Sequence, residues 1–80
     1  PFMNWYSTFG QLGLAKTRWR AGDFAGALTV CDELERHDLP FAARVALHNT
    51  RGAVYRNMGF YSRAEAEYQQ VLDMTADGKD

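Results

Sequence analysis

Hydrophobic residues recur at three- and four-residue spacings in four successive segments of the chain, which is the pattern of amphipathic α-helices. The pattern predicts helices over Ser7 to Ala21, Phe24 to Arg36, Phe41 to Met58, and from Tyr61 or Ser62 to about Met74. No segment alternates apolar and polar residues between turn signals, so no strand is predicted.

Glycine, proline and aspartate mark the predicted helix boundaries. Gly22 ends the first helix, and Asp23 is placed to cap the second. Asp38 stands before Pro40, so it is expected to cap the third helix, which Gly59 ends. The first helix is expected to begin at an N-cap on Asn4 or Ser7. Because the glycine turns are short, the sequence predicts an all-α fold of two stacked antiparallel helix-turn-helix hairpins.

The two predicted hairpins share a weak internal repeat. Its glycine, aromatic and small positions are Gly22, Phe24 and Ala27, which recur as Gly59, Tyr61 and Ala64 after a shift of 37 positions. Repeats of roughly 20 to 50 residues are typical of stacked units that are each too thin to bury an apolar face alone.

This arrangement resembles the tetratricopeptide repeat, a helix-turn-helix unit of about 34 residues. The matching residues are Gly52, Tyr55, Gly59, Tyr61, Ala64 and Tyr68 in the second hairpin, and Leu14, Ala15, Gly22, Phe24 and Ala27 in the first. In this pattern a small residue at Gly52 or Ala15 lets its helix approach Ala64 or Ala27, and aromatic rings fill the angle between the helices.

The resemblance implies an α-solenoid fragment, with one domain over residues 1–80. Repeat one covers about 7–37, repeat two covers about 40–74, and a tail over 75–80 is expected to fray. The chain departs from the family pattern in its longer period, and in Arg18 and Cys31 at positions usually aromatic. Arg51 stands at an often apolar position, and with Arg18 it is expected to place two cations near one helix contact.

Composition and charge narrow the possible functions. The 80 residues suffice for one small domain, and a net charge of −1 provides no field for holding nucleic acid. No apolar run approaches the roughly 20 residues of a membrane helix. Pro1 to Gly10 lacks the features of a signal peptide, and the single cysteine, Cys31, excludes an intramolecular disulfide. A reducing, cytoplasmic location is therefore expected.

The sequence contains few residues of the types that commonly bind metals or act in catalysis. Neither His37 nor His48 has a second ligand at i+4, so His48 is interpreted as a packing or surface residue. Cys31 falls on the apolar stripe of the second predicted helix, where a thiol is usually an inert small hydrophobe. Glu65 and Glu67 lie two apart on a helix and are interpreted as a solvated face.

Gly10 and Gly13 do not form a phosphate loop, because no strand precedes them and no Gly-Lys-Ser/Thr follows. The sequence therefore predicts a non-enzymatic protein without a metal or a cofactor.

The resemblance implies that the first helix of each hairpin lines a concave groove. The corresponding positions include six predicted binding residues, which are Lys16, Trp19, Arg20, Asn49, Arg56 and Asn57. The other positions on this face are Phe9, Leu12, Ala46 and Ala53. Cations and amide donors beside a tryptophan are suited to an extended peptide of acidic character. The predicted function of this face is therefore protein–protein interaction. The alternative interpretation is that it is only a solvated polar face, which one tryptophan covers.

Two other functions stay open at this point, a small helical DNA-binding domain and a ligand-sensing regulatory domain. Acidic residues on the second and fourth predicted helices weigh against DNA, whereas an apolar pocket with converging polar groups would favour a small ligand. The second hairpin is expected to leave apolar area at an open end, at Tyr55, Tyr68, Val71 and Leu72. End-to-end self-association, most simply as a twofold dimer, or membership of a longer repeat array is therefore expected.

Overall fold

Four α-helices form the structure, a computed structural model that describes residues 5–77. They are α1 (Trp5–Arg20), α2 (Phe24–Glu35), α3 (Phe41–Met58) and α4 (Tyr61–Asp77). No strand is present within residues 5–77, which confirms the all-α prediction. The bounds of α2 and α3 agree closely with the sequence pattern. Helix α1 begins at Trp5, so the prediction of an N-cap at Ser7 is wrong, while the possible cap at Asn4 lies outside the described residues.

The two glycine turns have the same hydrogen-bonded geometry. Gly22 has φ of 91° and Gly59 has φ of 87°, the left-handed conformation that glycine adopts at least cost. The Asp23 amide donates to the Arg18 carbonyl at 2.8 Å, and the Phe60 amide donates to the Tyr55 carbonyl at 2.9 Å. These bonds are typical of a Schellman ending, so the turn repeats after 37 positions as the sequence does.

The predicted cap of α2 is confirmed, and the predicted cap of α3 is wrong. Oδ1 of Asp23 accepts from the Gly26 amide at 2.9 Å, which satisfies an amide in the first turn of α2. The N-cap of α3 is Pro40, which makes no side-chain cap bond. Asp38 lies two residues earlier, beyond the position from which a capping side chain reaches the first-turn amides.

The fourth helix continues past the Met74 where the apolar pattern ends it. The Thr75 hydroxyl donates to the Val71 carbonyl at 2.9 Å and to the Leu72 carbonyl at 3.2 Å. Helix α4 therefore includes residues 75–77 of the tail expected to fray, and residues 78–80 lie outside the described chain.

Helix α3 is the centre of the packing. It contacts α1, α2 and α4, whereas α4 contacts α3 alone among the described helices. The buried residues of the first three helices and of the α2–α3 loop form one core, which contains Leu12, Ala15, Ala27, Cys31, Leu34, Leu39, Ala43, Leu47 and Val54. The fold therefore consists of a first hairpin (α1 and α2) and a second hairpin (α3 and α4), joined through α3.

Small residues occupy the helix contacts, as the repeat pattern predicts. Ala15 and Ala27 are fully buried, and Ala64 is 3% exposed. A Cβ built on Gly52 would lie 2.7 Å from the ring of Tyr68. The ring of Tyr68 therefore makes the closest approach at Gly52, where any side chain would displace it.

Candidate functional site

The predicted concave face lies on α1 and α3, which contact each other. Five of its six predicted binding residues are exposed to solvent, namely Lys16, Arg20, Asn49, Arg56 and Asn57. Of the other positions on this face, Leu12 is buried at 6% exposure and belongs to the core.

The sixth residue, Trp19, is half-buried and packs against the core. The guanidinium of Arg20 lies 5.9 Å from the centroid of its ring, within the range of a cation–π contact. The structure therefore brings Trp19 and Arg20 together as a charged aromatic surface. Because Trp19 also supports the core, its removal is expected to lower stability as well as binding.

The two polar residues at the end of α3, Arg56 and Asn57, differ in the surroundings of their side chains. Nδ2 of Asn57 donates to the Ala53 carbonyl of the same helix at 2.7 Å, so part of its amide is already used. Arg56 instead lines a groove of about 310 Å³ beside α4, together with Tyr61, Ser62, Ala64, Glu65 and Tyr68.

A buried cation, Arg51, links three helices at the centre of the molecule. Its side chain is 7% exposed, and three carboxylates surround it. Nη1 donates to Asp32 at 3.1 Å and to Glu35 at 2.8 Å, Nη2 donates to Glu35 at 3.1 Å, and Nε donates to Glu67 at 3.0 Å. Arg51 thereby joins α2 to α4, two helices whose Cα atoms do not approach within 8 Å of each other.

The interpretation of Glu67 as part of a solvated face is wrong. Its side chain is 15% exposed, and its second oxygen lies 2.8 Å from Nδ1 of His48, which is 13% exposed. Glu65 is exposed, as expected. Glu67 lies one turn beyond the buried Ala64, so the helical period directs it towards α3.

The carboxylates stabilise the charged form of Arg51. Burial lowers the pKa of Arg51, but the hydrogen bonds that it donates to Glu35 and the charge of Glu67 outweigh burial and raise the pKa above its ordinary value. The hydrogen bond from Arg51 in turn lowers the pKa of Glu35. We call Arg51, Asp32, Glu35, Glu67 and His48 the Arg51 cluster. Its direct contacts among side chains give it a structural role, which holds α4 in place.

Arg18 lies in a different setting from Arg51. Its Nη1 donates to Oδ2 of Asp23 at 3.1 Å across the first glycine turn, with both side chains about half exposed. At the second turn Arg63 instead covers the rings of Tyr55 and Phe60 at 5.8 and 5.6 Å. Arg18 and Arg51 share no partner in the described ion pairs, and their expected placement near one helix contact stays a prediction.

The only described thiol belongs to the core. Cys31 is fully buried, and burial raises its pKa to about 11. A protonated, buried thiol is a poor nucleophile, in agreement with the interpretation of Cys31 as a packing residue. Among the described side chains no group of three His, Cys, Asp or Glu residues is placed to hold a metal ion.

Sequence reasoning missed the Arg51 cluster, although part of the signal was present. Arg51 departs from the apolar residue expected at its position, and Asp32 and Glu35 lie three apart on the neighbouring helix. An unexpected cation within an apolar stripe, beside an acidic helix, indicates a buried ion pair.

Comparison with known proteins adds no assignment: no protein-family model, curated protein or solved structure matches the chain. Within residues 5–77, none of the helices combines the length and the apolar character that crossing a membrane requires.

Proposed function

We propose that the chain is a non-enzymatic interaction module of the tetratricopeptide type, which binds an extended or helical peptide of acidic character on its concave face. The observation that carries the proposal is the pairing of the cations. Arg18, Arg36 and Arg51 each pair with a carboxylate of the chain. Lys16, Arg20 and Arg56 on the concave face have no acidic partner among the described residues, so their charge is available to a ligand; Arg44 and Arg63 outside the face have none either.

The other residues of the face suit the same ligand. The Trp19 ring, with Arg20 beside it, is a stacking surface, and the exposed Asn49 is an amide donor for backbone or carboxylate oxygens. Two hairpins present a small contact area, and small interfaces leave little surplus over the entropy lost on association. Micromolar or weaker affinity is therefore expected. The single reduced thiol, Cys31, is compatible with a cytoplasmic location.

Selection from a library of displayed peptides tests the proposal. The immobilised chain is expected to enrich acidic peptides that it then binds in solution at micromolar affinity. The double variant Lys16→Glu with Arg56→Glu should lose at least tenfold in affinity for them, because both positions then repel carboxylates.

The matched control is Arg36→Glu with Arg44→Glu, which makes the same charge change at exposed positions outside the face. It should leave the affinity unchanged within about twofold. Equal losses in both double variants would show only a general charge effect and would contradict the proposal. Enrichment of peptides without acidic character would contradict it as well, and salt-sensitive binding of random duplex DNA would favour the nucleic-acid alternative.

A further inference from the structure

Three charged residues at the contact between the two hairpins have aliphatic counterparts elsewhere in the chain, whereas Asp32 and His48 of the Arg51 cluster correspond to Gln69 and Gln11. Glu35 of the first hairpin pairs with Arg51 of the second, and Arg51 also pairs with Glu67 of its own hairpin. Shifted by 37 positions, Arg51 corresponds to Leu14, Glu67 to Val30, and Glu35 to Leu72. All three polar positions are therefore replaced by aliphatic residues.

These aliphatic counterparts lie on the two ends of the molecule. Leu14 is 39% exposed and Leu72 is 60% exposed, while Val30 is half-buried against the core. Leu14 and Val30 belong to the first hairpin, and Leu72 belongs to the second. Leu72 can meet Leu14 and Val30 in the arrangement of Glu35, Arg51 and Glu67 only if the second hairpin of one molecule contacts the first hairpin of another.

The groove beside α4 supports the same arrangement. Its lining residues Arg56, Tyr61, Ala64, Glu65 and Tyr68 correspond to Trp19, Phe24, Ala27, Leu28 and Cys31 in the first hairpin. These five first-hairpin residues belong to the core or pack against it, whereas the sixth lining residue, Ser62, corresponds to the exposed Ala25. The equivalent surface of the second hairpin stays open as a groove of about 310 Å³, at the position where the first hairpin receives α3.

Helix α1 presents the face that such a groove requires. The face of α3 that is buried in the chain includes Leu47, Arg51 and Val54, and their counterparts on α1 are Gly10, Leu14 and Thr17. All three counterparts are exposed, and a Cβ added at Gly10 would meet nothing within 4 Å. Glycine inside a helix is destabilising relative to alanine, yet it permits another helix to approach closely.

We propose that copies of this chain stack head to tail, with α1 of one copy on the α3–α4 groove of the next and Leu14 opposite Leu72. The inference rests on the end-to-end self-association expected from the sequence and specifies its geometry. A contact between two different surfaces leaves one of each free, so it produces rings or filaments instead of the twofold dimer expected from the sequence.

Sedimentation equilibrium of the 80-residue chain at increasing micromolar concentrations tests this geometry. The weight-average mass of the wild type should rise from the 9.1 kDa monomer past twice that value. Leu14→Arg and Leu72→Glu should each hold the mass at the monomer, with unchanged helix content by circular dichroism. The double variant should assemble again, because the substituted pair reproduces the contact of Arg51 with Glu35.

Thr29→Arg and Gln70→Glu are the matched controls, since they add the same charges at exposed positions and should assemble as the wild type does. A wild type that stays monomeric overturns both the self-association and the head-to-tail geometry. Assembly that survives Leu14→Arg, or that stops at a dimer, overturns the head-to-tail geometry alone. Failure of the double variant to assemble overturns the register of Leu14 opposite Leu72.

Discussion

At the scale of single residues, Arg51 has the largest consequences. A guanidinium that is 7% exposed loses most of its hydration, and only well-placed carboxylates compensate for that loss. Glu67 is the most buried of its three partners and also the partner of His48. Removal of the Glu67 charge therefore takes a carboxylate from both Arg51 and His48, and leaves Arg51 with the more exposed Asp32 and Glu35.

The exchange Glu67→Gln is expected to lower the free energy of unfolding by about 1 to 3 kcal/mol, because Arg51 loses a charged acceptor in a buried position. Urea denaturation midpoints measure this loss. Glu65→Gln on the same helix is the control, since Glu65 is exposed and its change should stay below about 0.5 kcal/mol. Equal midpoints for the two variants would contradict the structural role of the Arg51 cluster.

At the scale of the helices, the repeated turn and the repeated small residues determine how each hairpin closes. Gly22 and Gly59 end α1 and α3 with the same hydrogen bonds, and Ala27 and Ala64 are buried at equivalent positions of α2 and α4. The contact of each hairpin therefore depends on a short side chain at these two alanines.

The exchanges Ala27→Leu and Ala64→Leu should each destabilise the fold by about 1 to 3 kcal/mol, because the larger side chain has no space between the helices. The matched controls are Ala25→Leu and Ala66→Leu, which place the same side chain at exposed positions of the same helices. Thermal melts compare the four variants. Indistinguishable melts within each pair would show that the assigned helix contacts are wrong.

The sequence was sufficient for the helices and for their glycine turns, because apolar spacing and left-handed glycines are local signals. It was insufficient for the burial and the ion pairs of Glu67, because its partners Arg51 and His48 lie on another helix. The cap of α3 was mispredicted because Leu39 and Pro40 separate Asp38 from the first turn. The family resemblance predicted the cations of the candidate face. The contact of Trp19 with the core could not be predicted, because it depends on how α1 packs in the folded chain.

At the scale of the whole molecule, the proposed binding face and the proposed stacking surfaces differ except at Arg56. The binding face lies on α1 and α3 and contains Lys16, Trp19 and Asn49, whereas stacking uses Leu14 and Leu72 on opposite hairpins. Arg56 belongs to the first set and also lines the α4 groove. Head-to-tail stacking would therefore place α1 of the next copy beside Arg56, which is also a cation of the binding face.

The most direct test of the central claim is the nuclear magnetic resonance footprint of an acidic peptide from the selection on the isotope-labelled chain. We expect saturable shifts in the indole signal of Trp19, the side-chain amide of Asn49 and the backbone amides around Lys16 and Arg56. We expect no shifts at Glu33 and Gln69, which are exposed on α2 and α4. A footprint centred on α2 and α4, with α1 and α3 unperturbed, would contradict the account.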